Sequence, residues 1–125
     1  MTATATQAKA LIQEYFQALS TKPKTEALLD RYMTDQDLKH HIAFFEASFP
    51  NYTVLAEDMI AEGDKVSVRC RFQGTHKGDL MGLAPTGRSV DVPFQIIYRL
   101  EKGKIAEHWM AIDQMELMKQ LGVGG

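Results

Sequence analysis

The chain of 125 residues has one cysteine, Cys70, one tryptophan, Trp109, and only four prolines. A lone thiol excludes an intrachain disulfide framework. Cys70 falls inside an alternating apolar pattern, where a buried thiol behaves as a small hydrophobe. Long apolar runs are also missing: the longest, around Ile96 and Ile97, is far too short to span a bilayer, so no membrane association is expected. The opening, Met1-Thr2-Ala3-Thr4-Ala5-Thr6, lacks the apolar stretch of a secretory leader, which predicts a cytoplasmic protein. Charge of one sign is not in excess either. The formal net charge of -2 leaves no basic footprint for nucleic acid, which is excluded as a partner. The four histidines are scattered, with no His-x-x-x-His spacing and no cysteine partners, so no metal site is expected. His40 and His41 are neighbours on a predicted helix, and side chains diverging by about a hundred degrees cannot ligate one ion.

What is present is the composition of a folded domain: 45% apolar and 24% charged residues. A chain of this length buries enough surface to fold without staples, and residues 1–125 are read as one domain. In the N-terminal half, Ala8, Leu11, Ile12, Tyr15, Phe16 and Leu19 recur at three- and four-residue spacing and define one helical stripe. Pro23 ends it. Thr25 caps a short second helix carrying Leu28, Leu29 and Tyr32 and ending at Thr34. Thr34 with Asp37 resembles a capping box for a third helix carrying Leu38, Ile42, Phe45 and Phe49.

After Asn51 the period changes to two. Val66, Val68, Cys70 and Phe72 alternate with Ser67, Arg69, Arg71 and Gln73, the pattern of a half-buried strand. Arg69 and Arg71 are therefore expected in solvent or in a dimer interface. Residues 52–60 are the expected hairpin partner, although their alternation is less regular. The glycine-rich stretch 74–87 reads as a loop whose Leu80, Met81 and Leu83 fold over something apolar. A long strand at 90–100 places Phe94, Ile96 and Tyr98 on one face and Ile97 on the other. Lys102-Gly103-Lys104 turns the chain into a strand at 105–112, and a last helix at 114–121 stops at Gly122. Helices first and a strand meander afterwards predict an α+β fold, with the helices on one face of an antiparallel sheet. Strong twist curls such a sheet into a half-open cone, whose concave face with the helices makes a small-molecule pocket.

Several local patterns sharpen this reading. They are Gly74-Thr75-His76-Lys77-Gly78 with Pro85-Thr86-Gly87, then Tyr98-Arg99 with Gly103-Lys104-Ile105, then Glu107-His108-Trp109 with Asp113 and the closing Gln120-Leu121-Gly122. With Ala61-Glu62-Gly63-Asp64-Lys65-Val66 they cover the chain from about residue 61 to its end, and together they resemble the SnoaL-like polyketide cyclases (ester cyclases) of the nuclear transport factor 2-like, cystatin-like superfamily. The resemblance implies a cone-shaped fold, usually dimeric, and a pocket closed by the N-terminal helices. It does not imply one reaction, because the superfamily holds cyclases, isomerases, dehydratases, epoxide hydrolases and non-catalytic binders. One departure is expected: family members carry a short strand with an His-Asp type pair between the second and third helices, whereas Tyr32-Met33-Thr34-Asp35-Gln36-Asp37 reads straight into a helix.

Among candidate chemical groups, Asp113 comes first. It shares strand parity with Glu107, Trp109 and Ala111, so it is expected beside Trp109, and both are placed on the pocket wall. The resemblance implies that an acid at this distance from the tryptophan acts as general acid/base, and an apolar site keeps a carboxyl basic enough for that work. The alternative is a helix cap, because Asp113 and Glu116 are spaced as in a capping box, and a helix N-terminus favours the charged carboxylate instead. His108, of opposite parity, is expected on the outer face toward a dimer partner. It stays a second catalytic candidate because strand ends twist. Tyr15 would point at the concave face, as a tyrosine of ketosteroid isomerases does when it polarises a carbonyl, or would serve as a core aromatic. His41, Phe45, Phe94, Tyr98, Met81 and Leu83 complete the expected pocket, and His76 is expected to order its loop.

The expected function is cofactor-free general acid/base chemistry on a small hydrophobic or polyketide-like molecule, a cyclisation or isomerisation next to a carbonyl. The alternative is a non-catalytic binding module of the same fold. A homodimer is expected, because the long strand carries apolar residues on both faces.

Overall fold

Thr4 caps the first helix reciprocally: its Oγ1 accepts from the Gln7 backbone N–H at 3.1 Å, and its own N–H donates to Gln7 Oε1 at 3.0 Å. The computed structural model describes residues 4–123; residues 1–3, on which part of the leader expectation rests, lie outside them. Helix α1, Ala5–Thr21, buries Ala8, Ile12, Tyr15, Phe16, Ala18 and Leu19, so the apolar stripe becomes the buried face. Helix α2, Glu26–Tyr32, is capped by the Thr25 hydroxyl, and α3 follows at Gln36–Ser48.

The cap of α3 is Asp35, one residue later than Thr34, because Thr34 has another use. Met33 pairs with Ile105 as a single-residue parallel bridge. The Thr34 and Asp35 N–H groups both donate to the Ile105 carbonyl, at 2.9 and 3.3 Å. The second helix therefore ends at Tyr32, and the segment expected to run straight into a helix instead makes this short strand-like contact between α2 and α3.

Four antiparallel strands follow in the order β1-β2-β3-β4: β1 Thr53–Glu62, β2 Lys65–Thr75, β3 Ser89–Glu101 and β4 Lys104–Ile112, before α4 at Gln114–Gln120. Each connection within the meander is a hairpin or a loop. Lys102 and Gly103 both have positive φ, 52° and 77°, the paired left-handed conformation whose twist matches a two-residue hairpin. Both outer strands carry a bulge. In β1 the register skips Glu57, between Ala56 and Asp58; in β4 it skips Ala106, between Ile105 and Glu107. An extra residue on one strand bends it and increases local twist, so bulges on the two outer strands curl the sheet around α1.

The first bulge explains the irregular alternation of β1. Val54 and Ala56 oppose Phe72 and Cys70 before it, and Met59 and Ala61 oppose Val68 and Val66 after it. Inner residues thus change from even to odd numbers. The core joins these to the fully buried Val66, Val68 and Cys70 and to Ile12, Tyr15 and Phe16 of α1. Ser20 Oγ ties α1 to the sheet, donating to the Val54 carbonyl at 3.1 Å and accepting from its N–H at 2.9 Å. Among the described residues no helix is long and apolar enough to cross a membrane.

The segment between β2 and β3 is held against the end of α3. Lys77 and Gly78 N–H donate to the Ser48 carbonyl, and Ser48 Oγ donates to the Asp79 carbonyl at 2.8 Å. His76 is fully buried, and its Nδ1 accepts from the Thr86 N–H at 3.1 Å, which orders the loop. Leu80 is buried and bridges to Leu83, but Met81 is 70% exposed and turned away from the interior.

Candidate functional site

The concave face of the sheet and the helices above it enclose a narrow apolar cavity of about 50 Å³. That is room for a few water-sized groups, since most of the cone is occupied by its own aromatic rings. Helix α1 contributes Tyr15, Phe16 and Leu19; α3 contributes Leu38, His41, Ile42 and Phe45. Strand β3 contributes Phe94, Ile96 and Tyr98, β4 contributes Met110 and Ile112, and Tyr52, Val54 and Phe72 close the far end. His41 is exposed overall, so it stands at the rim with one side of its ring inward.

The phenols are the first polar feature of this wall. Burial pushes the Tyr15 hydroxyl well above its ordinary range, helped by the neighbouring Tyr52 and by the charge of Asp35. Burial does the same to Tyr98, with Tyr15 adding to it. Both phenols stay protonated at neutral pH and can donate a hydrogen bond. Their rings meet edge to face, with centroids 6.0 Å apart. Beneath them Cys70 is fully buried, its thiol pushed up to about 12 by burial and by Glu57, so it remains a neutral hydrophobe.

The second feature is a buried imidazole and carboxylate in contact. His108 Nδ1 lies 2.7 Å from Asp35 Oδ2, with side chains only 7% and 8% exposed. The other oxygen, Asp35 Oδ1, accepts from the Leu38 N–H at 3.1 Å and caps α3. His41 packs edge-on against the His108 ring, with centroids 5.3 Å apart. Tyr98 sits directly across the strand pair from His108. Tyr15, Tyr98 and His41 are the polar groups at this end of an otherwise hydrocarbon wall. The His108–Asp35 pair lies directly behind it, against His41 and opposite Tyr98, without itself lining the cavity.

Two sequence expectations are corrected here, with one cause. Trp109 is 47% exposed on the outer face, and His108 faces inward with Met110 and Ile112. Alternation counted from the buried Ile105 would turn Trp109 inward, but the bulge at Ala106 shifts the phase by one residue. Asp113 falls outside the cavity. It is exposed and is the N-cap of α4, its Oδ1 accepting from the Glu116 N–H at 2.9 Å. Met81 points into solvent, and Leu83 packs against the core without reaching the cavity. Tyr15, His41, Phe45, Phe94 and Tyr98 do line it. Arg71 is paired with Asp91 at 2.6 Å and Arg69 with Glu57 at 3.5 Å on the outer side.

Asp35 was not singled out in the sequence. Its local signal is the spacing to Leu38, that of a helix cap, and its contact with His108 spans 73 positions, which no local pattern reports. Among the described residues there is no group of three His, Cys, Asp or Glu side chains able to hold a metal ion.

Comparison with known proteins agrees with this architecture. The SnoaL-like polyketide cyclase family model matches residues 6–121. Among solved structures, AclR, a candidate hydroxylase from Streptomyces galilaeus, is 25% identical with a TM-score of 0.82 over 95% of this chain and 83% of its own. IdmH, a candidate polyketide cyclase from Streptomyces antibioticus, is 26% identical with a TM-score of 0.77 over 94% of this chain and 99% of its own. TsrD from Streptomyces laurentii, at 21% identity, shares the fold with a TM-score of 0.83 over 98% of this chain and 99% of its own. No curated protein sequence matches the chain.

Proposed function

Because the chain belongs to the SnoaL-like polyketide cyclase family, we propose that it is a small-molecule enzyme acting by proton transfer next to a carbonyl, with His108 as the base. The observation that carries this reading is the buried His108 imidazole in contact with Asp35, packed directly against His41 and across the strand pair from Tyr98, two residues of the apolar cavity wall. An imidazole suits reversible proton transfer near neutral pH, and a dry wall strengthens every charge interaction that develops beside it.

The chemistry balances without a cofactor. His108 Nε2 takes a proton from the carbon next to the carbonyl, and the C–H electron pair passes into the enolate. The Tyr15 or Tyr98 hydroxyl donates to the enolate oxygen. Return of the proton to a different carbon isomerises the molecule. Attack of the enolate carbon on a second carbonyl of the same molecule closes a ring, and the new alkoxide recovers the proton from Nε2. The ligand is expected to be neutral at the inner end, because no lysine or arginine lines the cavity. A polyketide-like ketone meets these requirements. Its larger part would have to rest on the open rim between His41, Phe45, Phe94 and Ile112, since the enclosed space is small.

The test uses 2-tetralone, a neutral ring ketone, incubated with the protein in deuterated buffer. Deuterium should enter the carbon next to the carbonyl faster than in buffer alone, and His108→Gln should remove the acceleration by a factor of about 10²–10⁴. The binding-module reading draws on the same small, mostly hydrocarbon cavity. It requires no acceleration by the wild-type chain and equal 2-tetralone affinity in both forms.

A further inference from the structure

The geometry points to Asp35 as a positioning residue that fixes the tautomer of His108 while capping α3, so that the base is armed only when this helix is seated over the cavity. This inference rests on the proposed role of His108. It is carried by the division of labour between two oxygens of one carboxylate. Oδ1 accepts from the Leu38 N–H at 3.1 Å and holds the first turn of α3. Oδ2 lies 2.7 Å from His108 Nδ1. A carboxylate offers only acceptors, so the proton of a neutral imidazole must sit on Nδ1, and Nε2 keeps its lone pair for a substrate proton.

The surroundings hold both partners in place. The Asp35 N–H donates to the Ile105 carbonyl at 3.3 Å, and the Asp35 carbonyl accepts from the Lys39 N–H at 3.2 Å. Asp35 is therefore anchored to β4 and to α3 by its backbone, and its side chain bridges the same two elements. Around the pair stand His41 from α3, Tyr98 from β3 and Tyr15 from α1, the last close enough to feel the charge of Asp35. Helix α3 also supplies Leu38, His41, Ile42 and Phe45 to the cavity wall. Lifting its first turn would open the cavity and release the imidazole in one movement.

Two variants separate this role from capping alone. In Asp35→Asn the single side-chain oxygen is needed by Leu38, which turns the amide N–H₂ toward His108 Nδ1. Nδ1 must then accept, and the proton moves to Nε2. In Asp35→Ser the hydroxyl still caps the helix but is too short to reach the ring. Asn, Asp and Ser are comparable N-caps, so the helix cap survives in both variants and Asp35→Asn should melt close to wild type. Asp35→Ser also leaves the buried His108 N–H unpaired and should melt several degrees lower.

The readout that a structural role would not move is the ring proton. Side-chain ¹⁵N spectra of histidine-labelled protein at pH 8 should place it on Nδ1 of His108 in the wild type and on Nε2 in Asp35→Asn. Acceleration of 2-tetralone exchange should fall on the order of 10³–10⁴-fold in Asp35→Asn, the scale on which a catalytic triad suffers when its orienting carboxylate becomes an amide. A wild-type proton on Nε2, or an Nδ1 proton that persists in both variants, overturns the inference. Equal exchange by wild type and Asp35→Asn also overturns it and leaves His108 as a base. If the wild-type chain does not accelerate exchange, the proposed function fails, and the ¹⁵N spectra still decide the role of Asp35.

Discussion

Asp113 and His108 lie five positions apart, and neither stands where simple alternation assigns it. Asp113 caps α4, so its replacement should be felt in stability more than in turnover. Asp113→Ala is expected to cost about 0.5–2 kcal/mol in urea denaturation, and Asp113→Asn only a few tenths, because Asn caps as well as Asp. Both should retain 2-tetralone exchange; loss of exchange in Asp113→Asn at unchanged stability would return Asp113 to the site. The buried phenols and thiol make a second prediction at this scale. Tyr15, Tyr52 and Tyr98 are raised from an ordinary value of 10.0, and Cys70 from 9.0 to about 12, in each case chiefly by burial. Each group holds its proton longer in the folded chain than in the unfolded one. Their contribution is complete below pH 9 and is lost as the unfolded chain ionises, first at Cys70 and then at the tyrosines. Stability should therefore fall steadily above about pH 9–10. Tyrosinate absorbance from the buried rings should appear together with unfolding; if it appeared in a still-folded chain, the burial account would be wrong.

At the scale of elements, the seating of α3 depends on the loop that leaves β2. Gly78 has no room for a side chain, because a Cβ there would lie 1.9 Å from the Ala47 carbonyl oxygen at the end of α3. Gly78→Ala must push the loop off the helix and break the contacts of Lys77 and Gly78 with Ser48. It is expected to cost about 2–3 kcal/mol by thermal denaturation. Gly63→Ala, where a Cβ meets nothing within 4 Å, is the control for positive-φ strain without a clash. The elements also show how far the sequence could be read. Stripes at helical spacing, the Thr25 cap, the period-two run of β2 and the Lys102-Gly103 turn each act within a few residues, and each appears where it was expected. The bulges at Glu57 and Ala106 have no such local mark. The face shared by Glu107, Trp109 and Ala111, expected on the pocket wall, is the outer one, and His108, expected on the outer face and kept as the second catalytic candidate, turns inward.

For the whole molecule, the outer face of the sheet carries the remaining expectation. Ile97 and Trp109 are paired across β3 and β4 on that face, with Pro93 and Ala111 on the same side. A half-exposed tryptophan in such a setting suits a two-fold interface, which needs about 800 Å² from each partner to be stable. Light scattering is expected to give twice the 14.1 kDa chain mass, and Trp109→Asp should shift it toward one chain. Burial of Trp109 in the dimer would also shift its fluorescence to shorter wavelength relative to the monomer. A wild-type chain that stays monomeric at high concentration would remove this proposal without touching the cavity.

The order of elements, the helix faces, the Thr25 cap and the exclusion of a disulfide framework were settled by the sequence alone, because each depends on composition or on neighbours a few positions away. The inward turn of His108, its contact with Asp35 across 73 positions and the narrow cavity were decided only by tertiary structure. Strand phase is reset by a bulge, and cavity volume by how side chains from six elements pack. Both are properties of the paired and folded chain, which no local pattern carries.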